Sequence, residues 1–170
     1  MAGIRGDIRI AINLTQTGEA DLGTPRVPVA IDEVLSFIPG TAAVNQANAL
    51  FKDTRTISAS SNENLDLAGV LTDSLGATIT AAEVVAIYIK AAAANTNSVV
   101  LTRPASNSFA GPILAASDGI TLAPGAAMMI TNGAGWGVTG STGDLLNVAN
   151  SSSGSSVSYD IVIVGRTTAA

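Results

Sequence analysis

The chain has 170 residues, enough for one domain that buries a sizeable core. Its formal net charge is −5, and its eight Lys and Arg residues are scattered, which argues against a surface that binds nucleic-acid phosphates. The absence of His and Cys excludes Ser-His-Asp and Cys-His catalysis, thiolate metal sites and a disulfide framework.

The surface is expected to be poor in charge. Charged residues make up 12% of the chain, against roughly 25% in ordinary soluble domains. Apolar residues reach 47% with only 4% aromatic. Two interpretations fit: a small-residue β-protein with a Ser/Thr surface, or a subunit covered by neighbours in an assembly. The opening residues MAGIRGDIRI lack the apolar core of a signal peptide, so we expect synthesis and folding in a cytoplasm.

Residues 4–16 predict a half-buried strand, because one parity is apolar and the other polar. Residues 17–30 contain two glycines and two prolines, which indicate an extended connection or edge strand. The N-terminal segment, residues 1–30, is either an ordinary first strand with a long loop or an arm that lies on another subunit. Nine apolar positions are the candidate interface residues: Ile4, Ile8, Ile10, Ile12, Leu14, Val27 and Val29 of this segment, and Val162 and Val164 near the C-terminus.

Residues 31–38 fit a helical turn or a strand, and a strand is predicted from about Leu50. Residues 83–103 read as strand, polar loop and strand, and we predict a central hairpin there over the competing helix. Thr80 is predicted to cap a single helical turn just before it. Ser60–Asn64 and Asp73–Gly76 are predicted turns.

The remaining chain is predicted to be short strands separated by turns. Ser117-Asp118-Gly119 is one turn, and Asn132-Gly133 is a strong hairpin signal with a return strand at Trp136. Residues 150–156 are predicted to form a surface loop, and residues 157–166 the last strand. Val162 and Val164 make that strand apolar on both faces, so we expect a second sheet on one side and a neighbouring subunit on the other.

Catalytic chemistry is not supported by the remaining residues. The 13 carboxylates are mostly isolated on turns and strand ends, and no Asp-rich loop has calcium-binding spacing. We therefore predict no enzyme, no metal and no cofactor. Trp136, the sole tryptophan, is expected to close the end of the domain, with stacking on a glycan as the alternative.

Two long stretches carry a family resemblance: NLDLAGVLTDSLGATITAAEVVAIYIKA, and LAPGAAMMITNGAGWGVTGSTGDLLNVANSSSGSSVSYDIVIVGRT. From about Leu65 to the C-terminus the chain resembles small β-sandwich structural proteins of tailed bacteriophages. The resemblance implies a non-enzymatic virion component, such as a head decoration protein, a fibre or a tail appendage. It does not extend to residues 1–64.

Together these observations predict an all-β protein: an antiparallel, jelly-roll-like β-sandwich over residues 31–170 with an N-terminal arm over residues 1–30. The predicted function is decoration or cementing of a phage capsid, with the major capsid protein and copies of itself as partners, as a homotrimer in the virion. A nucleic acid, a membrane or a small-molecule substrate is not expected. The alternatives are a tail, fibre or receptor-binding component and a carbohydrate-binding module.

Overall fold

The computed structural model describes residues 3–113, 115 and 118–170, and these form thirteen β-strands and no helix. All named strand pairs are antiparallel except a short parallel contact between the second and third strands. The predicted all-β class is therefore confirmed. The strands are β1 Gly6–Thr17, β2 Arg26–Pro39, β3 Gln46–Ala47, β4 Ala49–Ile57, β5 Asn62–Asp66, β6 Ala68–Thr72, β7 Thr78–Thr80, β8 Glu83–Ala91, β9 Val99–Thr102, β10 Gly119–Leu122, β11 Ala127–Gly137, β12 Leu145–Asn150 and β13 Val157–Arg166.

Two four-stranded sheets make up the body of the protein. Sheet I has the order β11-β8-β13-β4, and sheet II has the order β10-β9-β12-β5. Strands β1, β2 and β3 form a third sheet, and β6 pairs with β7. None of the four sheets closes into a barrel.

One hydrophobic core receives side chains from both four-stranded sheets. Ile87 and Ile161 of sheet I and Leu101 and Val148 of sheet II are fully buried in the same cluster. Core residues recur at every second position of a strand, as at Ile87 and Ile89 of β8, because alternate side chains point to the same face. The predicted strands within residues 83–103 and 157–166 are among those that line this core.

The predicted hairpin over residues 83–103 is wrong in its pairing, although both of its strands exist. Strand β8 pairs with β11 and β13 in sheet I, whereas β9 pairs with β10 and β12 in sheet II. Val99 and Leu101 therefore face Ile87 and Ile89 through the common core instead of lying beside them in one sheet. The polar loop between the strands crosses from one sheet to the other.

Asn132-Gly133 does not form the predicted hairpin turn. Thr131 pairs with Ala86 and Trp136 with Val84, so β11 continues along the same partner strand after a bulge. In the bulge, the Asn132 side-chain amide donates to the Gly135 carbonyl oxygen (2.9 Å).

The bulge is stabilised by Arg166, a residue of β13 whose side chain is completely buried. Its guanidinium donates to the carbonyl oxygens of Gly133 (3.3 Å) and Ala134 (2.7 Å), and it also forms an ion pair with Glu83 (2.5 Å). This buried cation thus satisfies two carbonyl oxygens of residues that have no partner in the strand ladder, which stabilises the bulge.

Other local predictions have mixed outcomes. Residues 31–38 are strand and belong to β2, and residues 157–166 form β13 as predicted. The helical turn capped by Thr80 is wrong, because Thr80 ends strand β7. The turn at Asp73–Gly76 is confirmed by a hydrogen bond from the Gly76 amide to the Asp73 carbonyl oxygen (3.1 Å). Ser117, in the predicted Ser117–Gly119 turn, lies outside the described residues.

Candidate assembly interface

Strands β1 and β2 form a long two-stranded ribbon. They pair in continuous register from Gly6 opposite Phe37 to Thr17 opposite Arg26. The ribbon runs past residue 30, where we had predicted the arm to end, because β2 continues to Pro39. Beyond its base nearly every residue of the ribbon is exposed.

The ribbon has one apolar face. Directly opposed residues of an antiparallel pair point to the same face, so the register assigns each side chain to a side. Glu33 and Gln16 are the two polar residues on this face. From the Ile8–Leu35 pair outward, its apolar residues are Ile8, Ile10, Ile12, Leu14, Val27, Val29, Ile31 and Leu35. We call this set the apolar face of the ribbon.

Six of the nine predicted interface residues lie together on this face: Ile8, Ile10, Ile12, Leu14, Val27 and Val29. Leu14 is 64% exposed and Val27 is 57% exposed. Together the exposed members offer on the order of 500 Å² of apolar surface, which is near the upper end for a single patch on a monomer. A two-stranded ribbon is also marginally stable by itself in water. Both facts favour a partner on this face.

The base of the ribbon packs on the outer face of sheet I, the face opposite the main core. Ile4, Ile8 and Leu35 lie against a second buried cluster that includes Phe37 and Val164. At Val164 the cover on the outer face therefore comes from the same chain. Ile4 belongs to this base and not to the projecting part of the ribbon.

The opposite face of the ribbon is mostly polar and carries one ion pair, between Arg9 and Asp32. Arg9 donates to both carboxylate oxygens of Asp32, at 2.6 and 2.5 Å. Glu33, on the apolar face, forms no ion pair with any described residue. Glu33 is therefore a single unpaired carboxylate among apolar neighbours.

Beyond the ribbon base, the outer face of sheet I presents a row of four side chains. Met129, Tyr88, Val162 and Lys52 lie side by side across β11, β8, β13 and β4. Met129 is 38% exposed, and Tyr88 and Val162 are half-buried. We call this the outer row of sheet I, and its two central residues are Tyr88 and Val162.

Lys90 lies one row further along the same outer face, opposite Asp160. Asp160 accepts a hydrogen bond from the Thr54 hydroxyl (2.7 Å), whereas Lys52 and Lys90 are exposed and form no ion pair within the described residues. Sequence reasoning missed these lysines and Glu33. Ile31 was also missed, although its parity with Val27 and Val29 could have revealed it.

Trp136 is half-buried and packs against the main core, as a residue that closes the end of the domain would.

The Ser-rich loop over residues 150–156 is held by hydrogen bonds from two asparagine side-chain amides. The Asn97 amide nitrogen donates to the carbonyl oxygens of Ser152 (3.2 Å) and Ser155 (3.0 Å), and that of Asn150 also donates to Ser155 (2.8 Å).

In the described part of the chain, no three His, Cys, Asp or Glu residues are grouped so that they could hold a metal ion. Nor do the described residues include a helix of the length and apolarity needed to cross a membrane. Comparison with protein-family models, with curated proteins and with solved structures found no match to this chain. The ribbon and the outer face of sheet I are therefore described from their own geometry.

Proposed function

We propose that this chain is a structural subunit of a larger assembly, and that the ribbon is the arm by which it docks. The observation that carries the proposal is the apolar face, where Ile12, Leu14, Val27 and Val29 are at least 40% exposed on one side of a projecting ribbon. Leaving such a surface in water is unfavourable by about 25 cal/mol per Å². Covering it with a neighbour recovers that free energy.

The kind of assembly follows from the resemblance of residues 65–170 to structural proteins of tailed bacteriophages. We propose that the protein decorates or cements the capsid, as a homotrimer in contact with the major capsid protein. Low charge supports this role, because charged residues are only 12% of the chain and charge is what usually keeps monomers apart. On a symmetric lattice, many weak contacts add up through multivalency.

The proposed architecture is a β-sandwich of jelly-roll type, with sheet I and sheet II as its two layers. The common core of Ile87, Ile161, Leu101 and Val148 supports this arrangement. The crossing from β8 in one sheet to β9 in the other is also typical of sandwiches.

An arm-shortened variant tests the function. Ile12 and Ile31 are directly opposite, so residues 13–30 can be replaced by Asn-Gly, which favours a two-residue hairpin turn. This removes Leu14, Val27 and Val29 and leaves the base of the ribbon on sheet I. Electron microscopy of particles made with the intact and shortened chains then gives copy number and position.

We expect the intact chain to occupy the head in a lattice-matched copy number and the shortened chain to be lost from it. A matched control exchanges only the polar face, with Asn13→Ser and Ala30→Ser, and should bind like the intact chain. A few copies at the tail would instead favour a tail or fibre component. Full occupancy by the shortened chain would show that the ribbon is not the docking arm.

A further inference from the structure

We propose that the apolar face of the ribbon of one copy lies across the outer row of sheet I of a second copy of this chain. The inference deepens the proposed function and rests on it, since it names the partner that covers the ribbon. Its three supports are continuity of apolar surface, charge complementarity and reach.

Continuity comes from contacts that the chain already makes. Ile8 and Leu35, at the base of the apolar face, pack against the buried cluster that includes Val164 on the outer face of sheet I, and Val162 packs against the same cluster. The exposed part of the ribbon carries the same residue types, and the uncovered part of sheet I begins at Val162. The contact at the base is therefore an example, within one chain, of the apolar face packing on the aliphatic outer face of sheet I.

Charge complementarity favours the sheet over a second ribbon as occupant. Glu33 is the only charged residue on the apolar face, and Lys52 and Lys90 flank Tyr88 and Val162 on the outer face of sheet I. Docking on the sheet places the unpaired Glu33 carboxylate near the ammonium groups of Lys52 and Lys90, which outnumber the single carboxylate beside them, that of Asp160. Stacking two ribbons would bring two Glu33 carboxylates into one apolar interface, which is unfavourable.

The ribbon also has the reach. From Ile10 to Thr17 it projects eight residues, or roughly 26 Å at 3.3 Å per residue. A four-stranded sheet is roughly 14 Å wide between its outer strands, at 4.8 Å per strand. One ribbon can therefore cross the whole of sheet I of a neighbour.

The contact would join two different surfaces and is heterologous. Repeated from copy to copy, a heterologous contact closes into a ring or continues as a filament. A closed ring of three such contacts is the form that agrees with the proposed homotrimer. In it every ribbon is covered and every outer row is occupied.

Disulfide trapping tests the contact, because the chain has no cysteine and introduced thiols are the only ones present. Two differently tagged full-length chains are co-expressed, one with Glu33→Cys and the other with Lys52→Cys or Lys90→Cys. We expect a disulfide that joins the two tags. The matched control replaces Glu33→Cys with Asn13→Cys, on the polar face, and should give no such product.

Sedimentation of the purified chain without capsids gives the second measurement. Glu33→Lys should weaken self-association by roughly 10-fold or more, and combining it with Lys52→Glu and Lys90→Glu should restore it. Disulfides only between Glu33→Cys copies would mean ribbon-to-ribbon stacking and would overturn the inference. A monomer that still binds capsids through its ribbon would overturn it too, while the proposed function would stand. An unmutated chain that neither self-associates nor binds capsids would contradict both.

Discussion

Ile12 lies directly opposite Ile31 across the ribbon, and the two side chains are 40% and 45% exposed. Paired isoleucines stabilise a strand pair by contact with each other, but this pair leaves its outer surface in solvent. The same arrangement is repeated at Leu14 and Val29. This exposed row of apolar cross-strand pairs is the surface that the proposed docking would cover.

Replacing this pair should separate assembly from folding. In Ile12→Ser with Ile31→Ser, the free energy of unfolding of the isolated chain should change by less than about 1 kcal/mol, because the sites are exposed. Association through the ribbon should weaken by roughly 2–3 kcal/mol, since two apolar side chains lose their burial.

Chemical denaturation and sedimentation measure these two effects. Asn13→Ser with Ala30→Ser is the control, because those residues are also directly opposed but lie on the polar face. Equal weakening of association by both double variants would show that the apolar face has no special part in assembly.

The bulge in β11 predicts a glycine requirement at one position. Gly135 has a φ of +87°, and an added Cβ would lie 2.8 Å from Glu83 Oε2 and 2.9 Å from Arg166 Nη2. Gly135→Ala should therefore lower the free energy of unfolding by about 2–3 kcal/mol.

Gly137, two residues further along the strand, is the matched control because a Cβ there would meet nothing within 4 Å. Gly137→Ala should leave stability within about 0.5 kcal/mol of the parent in urea unfolding. If the two alanine variants were equally stable, the bulge would not depend on Gly135.

Tyr159 predicts a pH dependence of stability. Burial first, and the nearby Glu63 carboxylate second, raise the pKa of Tyr159, whose hydroxyl donates to Glu63 at 3.0 Å. A raised pKa in the folded state means that the neutral phenol is favoured by folding. The stabilisation is complete below the unfolded pKa of about 10 and is lost as the pH rises above it.

Tyr159→Phe should cost about 1–2 kcal/mol near neutral pH, because Glu63 loses a hydrogen bond. Above pH 10 the difference between parent and variant should shrink, and urea unfolding at several pH values measures it. Tyr88→Phe, on the outer face, is the control. A constant difference from pH 8 to 12 would contradict the assignment.

The strands could be predicted where one face is apolar, and their pairing could not. Residues 157–166 alternate and form β13 as predicted, and β8 and β9 both exist. What placed β8 and β9 in different sheets is burial on a common core, which depends on contacts between distant segments. Asn132-Gly133 likewise lies in a bulge and not in the turn that its sequence favours. The Gly133 carbonyl oxygen accepts a hydrogen bond from the buried Arg166, more than 30 residues away.

The apolar face was predictable because the ribbon has period two on both strands. Ile10, Ile12 and Leu14 share a parity, and so do Val27 and Val29. Lys52, Lys90 and Glu33 carried no such signal, since isolated charges on strands are usual on solvated faces. Only the sheet register shows that the lysines flank an apolar row.

Thiol labelling of two adjacent positions tests the central claim most directly. Leu14 and Asn13 are both exposed in the chain and point to opposite faces of the ribbon. In the assembled protein, the cysteine of Leu14→Cys should be labelled much more slowly than that of Asn13→Cys, with equal rates after denaturation. Equal rates in the assembled protein would show that the apolar face stays in solvent, and would contradict the account.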